Sequence, residues 1–234
     1  MGLIRSRKKK VIMRLHTLIA VTTVLFSGSS FAQGWLEYID QSSFFSVNFP
    51  AEPVVREMSH ESTQGLIFPA EVYRSEGIRG DSYSVTVVDY TDAEAVHRER
   101  PDATEASGIN NWLWDVRSSV AHAAWGFRKR GGEVTYDAWS DIERVEGHQL
   151  QITNSDGSRT FAGIYLHESR LYILEATVPM GLPPPGLFQQ SLRFLDEDGR
   201  RVRYNLAPNG NIIRIPGSYE YVGSGAEIVE RSTE

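Results

Sequence analysis

The first half of the sequence contains short runs rich in apolar residues, and the first two of these runs are rich in aromatic residues. These runs are residues 35–39, 44–49, 54–58, 70–74 and 83–88. Prolines or glycines stand between most of them, and both residue types favour turns over continued strands. Short runs of this kind, bounded by turn residues, are typical of β-strands. We therefore expect two short strands followed by a three-stranded antiparallel meander.

A longer element with a different period follows at residues 110–130. Its apolar residues recur at intervals of three or four positions, which places them on one face of an α-helix. They are Leu113, Val116, Val120, Ala124 and Phe127. Asn110 or Asn111 is a suitable N-cap, and the glycine pair at positions 131 and 132 is suited to end the helix.

The same helix carries a second apolar stripe beside the first. It consists of Trp114, Ala121 and Trp125. A helix that is apolar on two stripes is usually covered over much of its circumference. We therefore predict that both tryptophans lie in the core rather than on a ligand-binding surface.

After the helix, short strand-like runs return, with a turn-rich cluster at residues 154–158 between the middle two. The runs are residues 133–136, 148–153, 160–166 and 171–178. They predict a second antiparallel meander. In the last run, both sets of alternating side chains are at least half apolar. This composition is typical of a central strand in a sheet that is covered on both faces.

The C-terminal part of the chain is predicted to be less regular. A short helix is expected at residues 187–195, after a proline-rich connector. It would pack Leu187, Phe188, Leu192 and Leu195 against the core. Residues 205–234 are expected to form a loosely ordered tail, because they offer little apolar area to offset the entropy of ordering.

Together these elements predict an α+β fold in which helices pack on an antiparallel sheet. The domain would extend over residues 33–204 as a single unit, with residues 205–234 as its tail. A β-sandwich is the alternative, but it leaves the long helix at residues 110–130 without a place.

The first 32 residues have the composition of a secretory signal peptide. Six basic residues and no acidic residue precede an apolar run at residues 18–26, and small residues follow. We predict cleavage between Ala32 and Gln33 and a periplasmic or secreted product. The apolar run is far shorter than the roughly 20 residues that span a bilayer, so no stable membrane anchor is expected after processing. Met13 is an alternative start of translation, since residues 13–32 form a compact signal by themselves.

Charge and composition exclude several classes of function. Removal of the signal peptide would take away six of 24 basic residues and none of 30 acidic ones, so the net charge would change from −6 to −12. Nucleic-acid binding needs a basic surface to neutralise phosphates and is not expected. The sequence has no cysteine, which excludes disulfides, thiol nucleophiles and zinc–thiolate sites.

An aromatic and proline pattern at the start of the mature chain resembles a known family. Trp35 and Tyr38 are followed by an aromatic strand that ends in Phe49-Pro50. This pattern is similar to the start of PsbP-like α-β-α sandwich domains, which serve as accessory, binding or chaperone-type modules. The resemblance implies that fold and a binding role, and it offers no catalytic motif to transfer.

A second resemblance is to a group of small exported alphaproteobacterial proteins of unassigned function. The similar stretches are residues 83–90, 145–154, 170–179 and 186–199. This group has no assigned activity, so the resemblance implies export and leaves the function open.

The mature chain contains five histidines that are candidate metal ligands or bases: His60, His97, His122, His148 and His167. Two of them are followed by glutamate, as in the His-Glu-x-x-His motif of zinc proteases. Gln64 and Leu171 stand where that motif requires its second histidine. We therefore expect neither a metal site nor a cofactor.

Glu175 is the most unusual carboxylate, because it lies within the run predicted to be a central strand. We expect an arginine to pair with it. A metal-independent hydrolase that uses Glu175 with a nearby histidine is the least favoured function.

Residues 196–199 begin like a calcium loop but lack its later oxygen ligands, so an acidic turn is expected. The sequence has no serine-hydrolase, Walker or dinucleotide-binding motif.

These observations favour a non-catalytic binding or accessory module of the cell envelope. Its partner would be an envelope protein or a small molecule. The alternative is a periplasmic small-molecule carrier with an apolar pocket under the helix at residues 110–130, lined by the tryptophan stripe. A pocket of about 300 Å³ or more would support the carrier. The sequence assigns no catalytic and no ligand-binding residue.

Overall fold

The structure, a computed structural model, describes residues 34–100, 111–215, 219–220 and 229–230. The predicted signal peptide and the predicted cleavage site between Ala32 and Gln33 lie outside these ranges. Within them, no helix has both the length and the apolar character needed to cross a membrane.

Two short strands open the described chain, β1 (Leu36–Asp40) and β2 (Phe45–Phe49), and they pair antiparallel. Later in the chain, β10 (Arg193–Phe194) pairs with the other side of β2, so a small three-stranded sheet joins distant parts of the sequence. Phe45 and Phe194 are fully buried in this sheet.

Seven antiparallel strands form the main sheet. In chain order they are β3 (Val54–Glu61), β4 (Ile67–Glu76), β5 (Ser82–Asp89), β6 (Glu133–Ile142), β7 (Val145–Thr153), β8 (Arg159–His167) and β9 (Arg170–Val178). Across the sheet the order is β3-β4-β5-β9-β8-β7-β6, so β3 and β6 are the edges and β9 is central. Both predicted meanders and the central position of the last strand are confirmed.

One face of the main sheet is covered by helix α2 (Asn111–Lys129), with the shorter helix α1 (Ala93–Arg98) beside it. α2 lies over β7, β8 and β9. Val116, Val120 and Phe127 are buried against the sheet, as the spacing of three and four residues predicts.

The small sheet and the one-turn helix α3 (Gly186–Gln189) cover the opposite face of the main sheet. The core on this side is rich in aromatic residues, among them Tyr73, Tyr83, Tyr172 and Phe188. Both faces of the main sheet are therefore covered, by helices on one side and largely by strands on the other. The predicted α+β fold with an antiparallel sheet is confirmed, and the alternative of a β-sandwich does not account for α2.

The short helix predicted at residues 187–195 is only partly correct. Helix α3 ends at Gln189, and the chain then extends into β10 because Phe194 pairs with Phe45. Leu192 is buried as expected, and so are Phe188 and Leu195, whereas Leu187 is exposed.

A hairpin occupies the start of the segment predicted to be a loosely ordered tail. β11 (Arg203–Leu206) pairs antiparallel with β12 (Ile212–Ile215). The hairpin is attached to the sheet by polar contacts, since Tyr204 hydrogen-bonds to His167. Two further short strands, β13 (Tyr219–Glu220) and β14 (Val229–Glu230), pair with each other.

Candidate functional site

The two tryptophans predicted to lie in the core are on the surface. Trp114 is 63% exposed and Trp125 is 56% exposed, so that prediction was wrong. With about 100° of rotation per residue, both side chains point well over 90° away from the buried stripe centred on Val120. The sheet covers one stripe of α2 and leaves the second stripe in solvent.

The flank of α2 that carries these tryptophans faces strand β6. β6 is an edge of the main sheet, and α2 lies over the three strands next to it. Trp139 of β6 is 71% exposed, and Val134 is also exposed on the same face. We call the combined patch the tryptophan surface. It consists of Trp114, Ala121, Trp125, Val134 and Trp139.

A polar cluster joins α2 to β6 at the border of this surface. Arg128 of α2 donates two hydrogen bonds to the Asp137 carboxylate of β6, from Nε at 2.7 Å and from Nη2 at 2.8 Å. His148 Nε2 lies 2.5 Å from Asp137 Oδ1. These contacts, with Arg128 the largest cause, lower the pKa of Asp137 to about 2. The cluster therefore stays ion-paired at neutral pH and fixes the edge strand against the helix.

Two cations lie on the exposed rings of α2. The Arg117 guanidinium is 6.0 Å from the ring centroid of Trp114, and the Lys129 ammonium is 5.9 Å from that of Trp125. Neither cation forms an ion pair within the described part of the chain. The only acid of α2 is Asp115, which is buried on the opposite flank. The exposed side of α2 is therefore apolar and basic in a chain of net charge −6.

An open cavity of about 490 Å³ lies at one end of the tryptophan surface. Val120 of α2, Trp139 of β6 and Ile212 of β12 form part of its wall. The carrier hypothesis places a pocket under α2. The cavity lies instead beside α2, because buried core side chains fill the space directly beneath the helix.

The opposite flank of α2 contains a buried histidine–carboxylate pair. His97 Nε2 of α1 lies 3.0 Å from Asp115 Oδ2, and both side chains are almost fully buried. The backbone N–H of Gln64 donates to Asp115 Oδ1 at 3.1 Å. Three buried polar atoms nearby, in His60, Tyr90 and Ser119, have no hydrogen-bond partner among the described residues.

The structure does not bring the five candidate histidines together at one site. His60 and His122 have ring centroids 6.4 Å apart, His97 pairs with Asp115, and His148 belongs to the Asp137 cluster. His167 packs on Phe194 at the other face of the sheet. Within the described ranges, no group of three or more potential ligands could hold a metal ion.

Glu175 has the arginine partner expected from the sequence. Arg130 Nη1, just after α2, donates to Glu175 Oε1 at 2.6 Å. A histidine does not contact this carboxylate in the described structure. The hydrolase hypothesis is therefore not supported, because it requires a histidine next to Glu175.

The acidic segment at residues 196–199 forms a turn, as expected. Asp196 Oδ1 accepts hydrogen bonds from the backbone N–H groups of Asp198 and Arg200. The turn borders a surface cavity of about 560 Å³, which is also lined by Glu168 and Arg214.

The sequence pattern could have revealed the tryptophan surface only in part. The two tryptophans of α2 lie off the buried stripe, and that offset is visible in the spacing of residues. The position of Trp139 beside them depends on the sheet order, in which β6 forms an edge next to the helix. No local pattern encodes that order.

The chain is similar to a known structure. The solution structure of cyanobacterial PsbP (CyanoP) from Synechocystis sp. PCC 6803 matches with a TM-score of 0.34 and 12% sequence identity. The match covers 64% of this chain and 84% of that chain. No family model and no curated protein matches. The function of this chain therefore has to be derived from its own residues.

Proposed function

We propose that this protein is a non-catalytic binding module of the cell envelope, exported by its N-terminal signal, and that a partner protein binds at the tryptophan surface. The observation that carries the proposal is the exposure of Trp114, Trp125 and Trp139 beside an unpaired edge strand. Exposed apolar patches of this kind are typical of interaction sites, and tryptophan is enriched among the residues that dominate binding energy.

The edge strand favours a protein over other partners. The outer side of β6 has no neighbouring strand within the described part of the chain, so its backbone N–H and C=O groups are free to pair. An extended segment of a partner could add to the sheet through these groups while its side chains cover Trp139. A lipid surface offers no comparable row of backbone donors and acceptors.

The geometry of β6 limits where such a segment can pair. A register shift between Val134 and Tyr136 interrupts the regular ladder near the start of the strand. The regular edge therefore extends from Tyr136 to Ile142. A segment of about seven residues would match this length, since paired strands rise by about the same 3.3 Å per residue.

Charge indicates the composition of the partner segment. Arg117 and Lys129 contact tryptophan rings and lack ion pairs in the described structure, so a partner with acidic residues next to apolar ones would complement them. We therefore infer that the partner contributes an extended segment that is both acidic and apolar.

Site-specific crosslinking in the native host tests this proposal. A photoreactive phenylalanine analogue at position 139 should crosslink to one protein through an extended acidic segment, and the same analogue at exposed Leu187 is the control. Trp114→Ala and Trp125→Ala should each reduce the yield, because loss of a dominant interface tryptophan weakens binding by about 30-fold.

Two results would contradict the proposal. Equal crosslinking from positions 139 and 187 would show that the tryptophan surface is not a specific site. Binding to anionic vesicles that is lost in Trp114→Ala and Trp125→Ala, without a protein crosslink, would reassign the surface to a membrane.

A further inference from the structure

The cavity at the end of the tryptophan surface has a chemical character of its own. It lies where α2, the β6–β7 turn, the end of β8 and the β11–β12 hairpin meet, and its volume is about 490 Å³. Cavities of roughly 300 to 1,000 Å³ are the size that proteins use for small molecules. Its wall combines apolar side chains, one exposed indole ring and several charged groups.

The apolar part of the wall suits a flat ligand. Val120, buried in the core under α2, Val145, buried in the core of the opposite face, and the half-exposed Ile212 all line the cavity. Trp139 is 71% exposed, and its ring is available to stack against an aromatic body. A ligand that covers this ring and the apolar wall would remove apolar area of both molecules from water.

Two guanidinium groups in the wall have no anionic partner among the described residues. Arg117 lies over the Trp114 ring and forms no ion pair there, and the Arg144 side chain has no ion pair or hydrogen bond within the same ranges. The acid Glu168 is already paired with Arg214 at 3.1 Å. Arg214 also lies 3.7 Å from Asp196, and Glu146 is the other acid in the wall, so the formal charges of the two arginines and the two glutamates that line the cavity sum to zero.

The histidine in the wall does not change the charge of the cavity at neutral pH. His167 Nε2 lies 2.8 Å from the Tyr204 hydroxyl. Burial, followed by the nearby guanidinium groups of Arg214 and Arg170, lowers the pKa of His167 to about 4. The imidazole is therefore neutral at pH 7.

The backbone at Arg144 is unusual for an arginine. Glu143 and Arg144 both have positive φ angles, 51° and 69°, as a two-residue hairpin turn requires. Glycine adopts this conformation without steric cost, whereas other residues pay about 1 kcal/mol or more. The turn therefore accepts an unfavourable residue at a position that brings a guanidinium to the cavity.

We propose that this cavity binds a small molecule that has a flat apolar body and a single anionic group. The body stacks on Trp139 and packs against Val120 and Val145. The anion, a carboxylate or a sulfonate, accepts hydrogen bonds from Arg117 and Arg144. This site is separate from the edge of β6, although Trp139 and Arg117 border both the cavity and the tryptophan surface.

Two fluorescent probes that differ mainly in charge test the proposal. 8-Anilinonaphthalene-1-sulfonate has a flat body and one anionic group, and N-phenyl-1-naphthylamine is its neutral counterpart. The protein should bind the anionic probe at one site and about tenfold more tightly than the neutral one, because hydrogen bonds to charged groups are stronger than neutral ones. Equal affinity for the two probes would overturn the proposal.

Substitutions locate the probe. Arg117→Gln with Arg144→Gln should weaken binding of the anionic probe about tenfold and change the neutral probe less than about twofold. Arg56→Gln, at an exposed arginine of β3, is the matched control. Trp139→Leu should weaken both probes. Loss of binding only in Trp114→Ala or Trp125→Ala would place the probe on the tryptophan surface and refute the cavity site.

Arg144→Gly distinguishes a binding role from a structural one. Glycine relieves the backbone conformation of the turn, so the melting temperature should rise or stay constant. The affinity for the anionic probe should fall in the same variant. An unchanged affinity would show that Arg144 has no part in the site.

Discussion

The two flanks of α2 have opposite environments although they belong to one helix. The closed flank, which contains Asp115 and Ser119, is buried against α1 and the β3–β4 turn. The open flank, which contains Trp114 and Trp125, is exposed beside β6. Each flank lies next to a histidine–aspartate pair, and the pairs differ in burial. The comparison shows that polar residues can be structural in the interior while tryptophans remain available on the surface.

The largest expected effect on the free energy of unfolding is at the closed flank. Asp115→Ala should lower the free energy of unfolding by about 3 to 5 kcal/mol, because it leaves His97 and the Gln64 N–H buried without their acceptor. Urea unfolding at pH 7 measures this loss. Asp137→Asn, at the more exposed pair, is the matched control and should cost about 1 kcal/mol. Similar losses in both variants would contradict the distinction between the flanks.

Two aromatic residues near the end of α2 give the next largest contrast. Phe127→Ala should destabilise the protein by about 3 to 5 kcal/mol, because Phe127 is buried against the sheet. Trp125→Ala should cost less than about 1 kcal/mol, because its side chain is more than half exposed. Thermal or urea unfolding of both variants checks the difference. A large loss for Trp125→Ala would mean that the open flank is covered.

The pH dependence of stability should differ between the flanks. Near the closed flank, His60 should contribute to it. Burial, followed by the charge of His122, lowers the pKa of His60 below its ordinary value of 6.5. The unfolded chain therefore binds a proton at a higher pH than the folded chain, and stability falls as the pH decreases below about 6.5. His60→Gln should reduce this slope by at most about 1.4 kcal/mol per pH unit. An unchanged slope between pH 7 and 5 would exclude His60 as a source of the pH dependence of stability.

The smallest effect concerns Asp137 on the open flank. Its pKa of about 2 in the folded protein lies below the ordinary value of 3.8. The resulting stabilisation is present above about pH 4 and is lost as the pH falls through 2. Because Asp137 is partly exposed, we expect about 1 kcal/mol after screening by solvent. The stability difference between the native protein and Asp137→Asn should therefore narrow between pH 4 and 2. A constant difference over that range would refute the role of the charge.

Much of the fold could be predicted because its elements have clear periods. The helix expected at residues 110–130 is observed as Asn111–Lys129. The last strand, expected at residues 171–178, is Arg170–Val178 and occupies the centre of the sheet. These predictions succeeded because the alternation of apolar residues reports directly on which faces of an element are buried.

The candidate site could not be predicted in the same way. Two apolar stripes on α2 suggested that both are buried, but the sheet covers only one of them. Strand β6 was predicted from a short run at residues 133–136, whereas it extends through Trp139 to Ile142. Most of this strand is exposed, so the contrast between apolar and polar positions that identifies a half-buried strand is weak.

The sequence by itself determined the local elements, the α+β class and the residues that form the core under α2. Hydrophobic periodicity specifies these features because each element must bury one face. Only the tertiary structure decided that β6 forms an edge, that Trp139 lies beside the tryptophans of α2, and that Arg117 and Arg144 meet at one cavity. These neighbours are distant in the chain, and their proximity follows from the order of strands in the sheet and the placement of the helix on it.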